Sequence, residues 1–346
     1  MTQSATDQPF VDQLPNGTGE SHIDPADPAA PYYRLLSHLR SPLTLRELMI
    51  QSVRTGYIGQ DHPIDPKLLP PSAKDLYPEV VVSPLMVPCP LGRIRCELFA
   101  APGPGEKRPV LLYIHGGGFT VGTAGDTAYI TSRIAAETGM LVVSVNYRLA
   151  PEWPFPAGMD DILTVLAWLR AHAGEIGGDP DRILAGGDSA GGNLAAALPH
   201  RAQDEGVRMP EGAILLCPIT DFNVETHASF ERLAPLGIIY DTAFVGYVRG
   251  AYVVHRSLWS HPHVSPVLGD LGAYPRTLVV SGEVDPMIDD NRAFVAKLEA
   301  AGRDVTQMVG KAMPHGFYFF PHLLAEGEAA FAAVRRFAAQ MGIGTA

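Results

Sequence analysis

Ile183-Leu184-Ala185-Gly186-Gly187-Asp188-Ser189-Ala190-Gly191-Gly192-Asn193-Leu194 decides how this chain is read. A short apolar run ends in glycines, presents one serine, and continues through Gly191 and Gly192 into the Ala-rich segment Asn193–Leu198. That order predicts a strand, a sharp turn and a helix. Gly187-Asp188-Ser189-Ala190-Gly191 fits the G-x-S-x-G elbow, in which a strained turn lifts the serine Oγ out at the top of a sheet. Such a turn leaves no room for Cβ atoms beside the nucleophile, which is the steric reason for its glycines. The following helix directs the positive end of its dipole at the serine, where an oxyanion would develop. In a chain with 35 glycines the same five residues also fit an ordinary glycine-rich turn. The choice rests on what else the chain supplies.

The surrounding pattern favours the elbow. From residue 109 strands and helices alternate: strands at Val110–Ile114, Leu141–Val145, Arg182–Ala185, Ala213–Cys217, Leu278–Ser281 and Val305–Val309. Helices are expected at Thr127–Glu137, Asp160–Ala173, Arg292–Ala301 and Glu326–Met341. Short apolar strands separated by helices predict a buried parallel sheet covered on both faces, an α/β fold. Before it, Glu79–Met86 and Arg93–Phe99 flank Pro90-Leu91-Gly92 and read as an antiparallel hairpin. Residues 1–30 are polar and proline-bearing, a tail; 31–59 carry helical spacing around Leu45, Leu48, Met49 and Val53; Asp61–Pro78 is a proline-rich connector. Between Asp221 and about Val264 no strand falls where the rhythm requires one. Phe222, Phe230, Leu233, Phe244, Tyr247, Val248, Tyr252 and Trp259 are spread there through helix-like pieces. An insertion at that point lies over the carboxyl end of the sheet, where open α/β folds bind ligands.

Composition narrows the function classes. The chain has 346 residues, 46% hydrophobic and 18% charged, enough for a large core. A formal net charge of −11 argues against nucleic acid or an anionic membrane as partner. Cys89, Cys96 and Cys217 make neither a disulfide framework nor a metal site. Cys89 and Cys96 flank the hairpin turn, so a bridge between them stays open; free thiols in a cytoplasmic protein are the expected state. The N-terminus has no basic start and no apolar core, unlike a signal peptide, and no stretch approaches 18 uncharged apolar residues.

Cleavage by a serine needs a base for the hydroxyl proton, an acid to orient the base, and donors for the oxyanion. In an elbow architecture the partners follow in the order Ser, Asp or Glu, His. Asp285 lies just past the strand Leu278–Ser281, and His315 follows Val305–Val309 directly, so Ser189, Asp285 and His315 have the required order on strand-terminal loops. Glu283, Asp289 and Asp290 compete for the acid role, although the last two also fit first-turn charges of the next helix. His255, His261, His263 and His322 compete for the base but do not follow the last strand. His115-Gly116-Gly117-Gly118 lets backbone N–H groups turn inward, the HGGG device for an oxyanion, with the N–H of Ala190 as a further donor. A phosphate-cradling loop is the rival, but the Lys-Ser/Thr of a P-loop and the G-x-G-x-x-G spacing are missing. His115 itself is expected to hold its loop by a hydrogen bond.

Together, His115-Gly116-Gly117-Gly118-Phe119, Tyr147-Arg148-Leu149-Ala150-Pro151-Glu152, Gly187–Asn193, Asp285-Pro286-Met287 and His315-Gly316-Phe317 resemble the bacterial hormone-sensitive-lipase family of esterases, in the subgroup with Asp before the serine. The resemblance covers roughly residues 79 to 340. It implies an α/β-hydrolase core with an eight-stranded, mostly parallel sheet. Residues 1–78 would form a tail and cap helices, 79–220 the first part of the core, 221–264 a cap insertion, and 265–346 the remainder. It implies Ser189 as nucleophile, His315 as base, Asp285 as orienting acid, and Gly117, Gly118 and Ala190 as oxyanion donors. No metal or organic cofactor is expected, the partner is a small-molecule ester, and a homodimer through the sheet edge near the last strand is implied. Ile219 stands where relatives often carry tryptophan, a departure that bears on the acyl pocket. An amide hydrolase or acyltransferase would use the same residues. A non-catalytic receptor on this fold loses the histidine, whereas His315 is present here.

Overall fold

The computed structural model describes residues 72–103, 107–236, 242–321 and 324–344. The expected tail, the helical segment at 31–59 and most of the proline-rich connector lie outside the described residues. After a single helical turn at Ala73–Leu76, the strands are β1 (Val81–Cys89), β2 (Gly92–Ala100), β3 (Arg108–Ile114), β4 (Leu141–Val145), β5 (Gly178–Asp188), β6 (Gly212–Leu216), β7 (Arg276–Gly282) and β8 (Val305–Gly310). The helices are α1 (Ala128–Thr138), α2 (Ala157–His172), α3 (Ala190–Asp204), α4 (Ala228–Leu233), α5 (Thr242–Tyr252), α6 (Ile288–Ala300) and α7 (Ala325–Gln340).

One eight-stranded sheet runs β1-β2-β4-β3-β5-β6-β7-β8. The β1–β2 and β2–β4 pairs are antiparallel, and every pair from β4 to β8 is parallel. The central strands β4 and β6 are short, apolar and buried throughout because helices cover both their faces. Alternate residues of one strand feed different cores: Leu112 and Ile114 of β3 face a cluster with Leu166, Leu194 and Phe294 of α2, α3 and α6. Leu111 and Tyr113 face the other, with Ile134, Phe331 and Phe337 of α1 and α7.

The hairpin register runs from Val81↔Ala100 to Cys89↔Gly92, and Cys96 stands opposite Leu85. The two hairpin cysteines are therefore not cross-strand partners, and all three cysteines are free thiols. The elbow strand is longer than its apolar run: pairing continues through Gly186, Gly187 and Asp188 to Leu216. The ladder is made by backbone, which glycines supply as well as leucines. At Gly186 a Cβ would press on the Ile214 carbonyl and Leu111 Cδ1, both at 3.1 Å. Strand β6 ends at Leu216, one residue short of Cys217, whose φ of 46° turns the chain out of the sheet.

Between β6 and β7 the described residues hold only helical pieces, among them α4 and α5. Their aromatic residues pack onto the loop after β3: Tyr252 stacks on Phe119 with centroids 3.9 Å apart, and Phe222 meets the same ring at 5.7 Å.

Candidate active site

The elbow closes at the end of β5. Ser189 adopts φ 55° and ψ −120°, between the last strand residue and the first residue of α3. Its N–H donates to the Leu216 carbonyl at 2.8 Å. A Cβ on Gly187 would lie 2.5 Å from the carbonyl oxygens of Gly191 and Ile114, and one on Gly191 would lie 2.0 Å from that of Ile114. The glycines are therefore set by the close approach of three backbone segments. Asn193 is fully buried one turn into α3. Its Nδ2 donates to the carbonyls of Ile219 (2.6 Å) and Val264 (2.8 Å), tying the elbow helix to both ends of the helical segment between β6 and β7. Only its place in the motif marked it in the sequence, since an asparagine at the start of an Ala-rich helix is otherwise unremarkable.

The loop after β3 is held against the elbow by Asp188. Its Oδ1 accepts from Tyr113 Oη–H at 2.8 Å and from the Gly116 N–H at 3.1 Å. Burial pushes its carboxyl up to about 6, against the pull of those two bonds. Gly116 leaves no alternative to glycine, because a Cβ there would meet Asp188 Oδ2 at 2.3 Å. Gly117 (φ 113°) and Gly118 (φ 59°) take conformations that L side chains avoid. His115 faces inward and holds the loop, with Nδ1 2.7 Å from the Gly116 carbonyl and its ring stacked on Tyr147 at 4.4 Å. A carbonyl only accepts, so Nδ1 carries the proton; burial pulls His115 down to about 4 and keeps it neutral.

Asp285 and His315, the acid and base expected from the sequence, lie on the loops after β7 and β8. Asp285 is wholly buried and His315 is 5% exposed. Asp285 Oδ2 stands 2.7 Å from His315 Nδ1, and Oδ1 accepts from the Met287 N–H at 2.9 Å. Strand and loop meet closely enough that a Cβ on Gly282 would lie 2.4 Å from the Met313 carbonyl. The competing acids have other partners. Asp289 Oδ2 accepts from the Ser229 N–H at 2.9 Å, Glu283 from the Ala312 N–H at 2.7 Å, and Asp290 from the Thr220 N–H at 2.7 Å and from its hydroxyl. Among the competing histidines, His263 pairs with Asp204 at 2.9 Å, His261 packs edge-on against His263 with ring centroids 4.6 Å apart, and His322 is outside the described residues. Cys217 joins the site unforeseen: one donor atom each from Cys217, Asp285 and His315 lie within 4.8 Å of one another. As a metal site the trio is poor. The His315–Asp285 hydrogen bond engages one donor of each, and burial, then the Asp285 carboxylate, push the Cys217 thiol well above its ordinary range.

A family model described as alpha/beta hydrolase fold matches residues 111–319, from β3 to past His315. The chain belongs to the α/β-hydrolase family. Within it this α/β-hydrolase is of the hormone-sensitive-lipase type, in agreement with the motifs above. It is 34% identical over 219 residues to the carboxylesterase NlhH of Mycobacterium tuberculosis, covering 62% of this chain and 68% of that protein. It is 30% identical over 220 residues to an ethyl acetate hydrolase of Pseudomonas putida, covering 63% and 69%. An esterase of Pyrobaculum calidifontis superposes with a TM-score of 0.78 at 26% identity, over 91% of this chain and 99% of that one.

In this α/β-hydrolase an apolar pocket is lined by Ile219, Phe222, Val224, Val245, Val248, Arg249 and Met287. It flanks the glycine loop, because a Cβ on Gly118 would meet Val248 Cγ2 at 3.0 Å and Phe244 Cζ at 3.1 Å. The Arg249 guanidinium is turned onto both carboxylate oxygens of Glu225 and over the Trp259 ring at 4.4 Å. Among the described residues no helix is long and apolar enough to cross a membrane.

Proposed function

We infer that this hydrolase cleaves small carboxylic esters through an acyl-enzyme on Ser189. The chain is a carboxylic ester hydrolase, and the observation that carries the mechanism is the 2.7 Å contact between Asp285 and His315 Nδ1 beside a strained serine elbow. Ser189 Oγ attacks the ester carbonyl carbon while His315 Nε2 takes its proton. The carbonyl π pair moves onto oxygen, and the N–H groups of Gly117, Gly118 and Ala190 receive the oxyanion. Collapse breaks the bond to the alcohol oxygen, which leaves with the proton from His315. Water then attacks the acyl carbon by the same two steps, releasing the acid and restoring Ser189. The Asp285 carboxylate holds the imidazole in the tautomer with Nε2 open and stabilises the imidazolium that forms twice per turnover.

The helical segment 221–264 forms the cap in this reading, the expected contribution of residues 1–78 lying mostly outside the described residues, and the pocket beneath α5 takes the acyl group. The domain division remains 79–220 and 265–346 for the core. The partner is a small-molecule ester, the compartment the cytoplasm, and pairing through the β8 edge gives a homodimer. Ser189→Ala tests the assignment against a panel of chromogenic esters from acetate to palmitate. Loss of all turnover above background with an unchanged circular dichroism spectrum is expected, since triad members act as a unit. Turnover near the wild-type rate, with contaminating esterase excluded, would sink the assignment.

A further inference from the structure

Cys217 stands beside the acid–base pair without a part in the mechanism. It is completely buried, directly after β6, at a φ of 46° that residues with a Cβ rarely adopt. The backbone around it is pinned on every side. Its own N–H donates to the Val280 carbonyl at 2.7 Å, and the preceding Leu216 carbonyl accepts from the Ser189 N–H and the Tyr318 hydroxyl. The following Pro218 carbonyl accepts from Asn291 Nδ2 at 2.7 Å, whose Oδ1 in turn accepts from Ser281 Oγ at 2.9 Å. A left-handed residue fixed this way carries its side chain in a set direction. Here that direction places Sγ within 4.8 Å of a carboxylate oxygen of Asp285 and a ring nitrogen of His315. Burial and the nearby Asp285 charge keep the thiol protonated, so it offers that carboxylate a proton rather than a second negative charge.

We propose that Cys217 is a positioning residue for the acid–base pair: its S–H, held against the Asp285 carboxylate, shares that charge and limits how far Asp285 favours the imidazolium form of His315. The inference rests on the assignment of Ser189, Asp285 and His315 given above. A carboxylate that loses a donor presents its full charge to the histidine, and one that gains a stronger donor presents less. The other titratable groups facing the pair are Ser189 and Asp188 from the elbow, and Asp188 acts on His315 through space. Both stay unchanged in the variants below.

The test is the pH profile of kcat/KM for Cys217→Ala and Cys217→Ser, on one short ester, across the limb where activity rises with pH. Cys217→Ala is expected to move that limb up by about half a pH unit, cutting activity below the limb about threefold relative to the plateau. Cys217→Ser, whose O–H is the stronger donor, moves it down. Limbs that coincide with the wild type in folded variants overturn the proposal, even if both variants lose thermal stability, because a space-filling role alters stability without altering the titration. If Cys217→Ala does not fold, the serine variant decides alone: a limb unmoved or raised contradicts the proposal. Ser189→Ala is measured alongside. Activity surviving in that variant would overturn the site assignment itself, an outcome separate from an unmoved limb.

Discussion

At Ser189 the backbone accepts a conformation that costs on the order of 1–2 kcal/mol for a residue with a Cβ, and the neighbouring glycines let it do so. The same scale separates Asp285 from its rivals. Asp285→Asn is expected to lower kcat/KM by on the order of 10⁴, by favouring the wrong imidazole tautomer, whereas Asp289→Asn costs far less. Steady-state kinetics with one chromogenic ester checks this, and the reverse ranking would move the acid to Asp289. Asp188 gives a prediction about stability. Its folded carboxyl is raised to about 6, so the folded state binds the proton more tightly than the unfolded chain does. That contribution is complete below about pH 4 and is lost as pH rises through about 6. Wild type should therefore lose up to about 3 kcal/mol relative to Asp188→Asn between those limits, measured by urea unfolding at each pH. A difference that stays flat with pH would contradict the buried-carboxylate account. Neighbouring His115 runs the other way: held down at about 4, it contributes stability above its ordinary range near 6.5 that is lost on acidification. Motif order singled out Ser189, Asp285 and His315 as the proposed nucleophile, acid and base, because each falls on a loop at a strand end, and the last two are in contact at 2.7 Å. Cys217 could not, since nothing in Cys217-Pro218-Ile219 signals a left-handed turn toward Asp285.

At the scale of elements, Asn193 ties α3 to both ends of the segment between β6 and β7. Asn193→Ala leaves the carbonyls of Ile219 and Val264 without their buried donor, at an expected cost of about 2–3 kcal/mol. Urea denaturation gives the stability loss. A larger proportional rise in KM than fall in kcat on a medium-chain ester would show that the pocket, rather than the serine, has loosened. In the proposed reading the pocket under α5 sets chain length. Each methylene that fits contributes up to about 0.8 kcal/mol, so kcat/KM should climb about fourfold per carbon from acetate and then fall once Ile219, Val245 and Val248 are reached. A profile still rising at palmitate would mean the acyl chain lies elsewhere. The strands were legible wherever apolar side chains ran, and short wherever glycine carried the ladder, as at Gly186–Asp188. The helical segment announced itself by the missing strand. Its contacts did not, because they are carbonyls, Asn193 and the stacked ring of Phe119, and no period encodes these.

For the whole molecule, alternation of short apolar strands with amphipathic helices carried the fold class, and the hairpin Val81–Ala100 supplied the antiparallel edge. The spatial order β4-β3-β5 was not written in the pattern; it follows from parallel crossovers, which place the elbow strand at the centre of the sheet. The central position matters for chemistry. It lets loops from β3, β7 and β8, separated by up to 200 residues of chain, converge on the end of β5. The most direct measurement of this convergence is covalent. A p-nitrophenyl alkylphosphonate, added in excess at pH 8, forms its phosphorus–oxygen bond with an activated serine and releases p-nitrophenolate. Intact-mass and peptide mass spectrometry should find one adduct per chain, on the peptide bearing Ser189, with none on Ser189→Ala and labelling slowed by orders of magnitude in His315→Ala. An adduct on another residue, or labelling that persists in Ser189→Ala, would contradict the account.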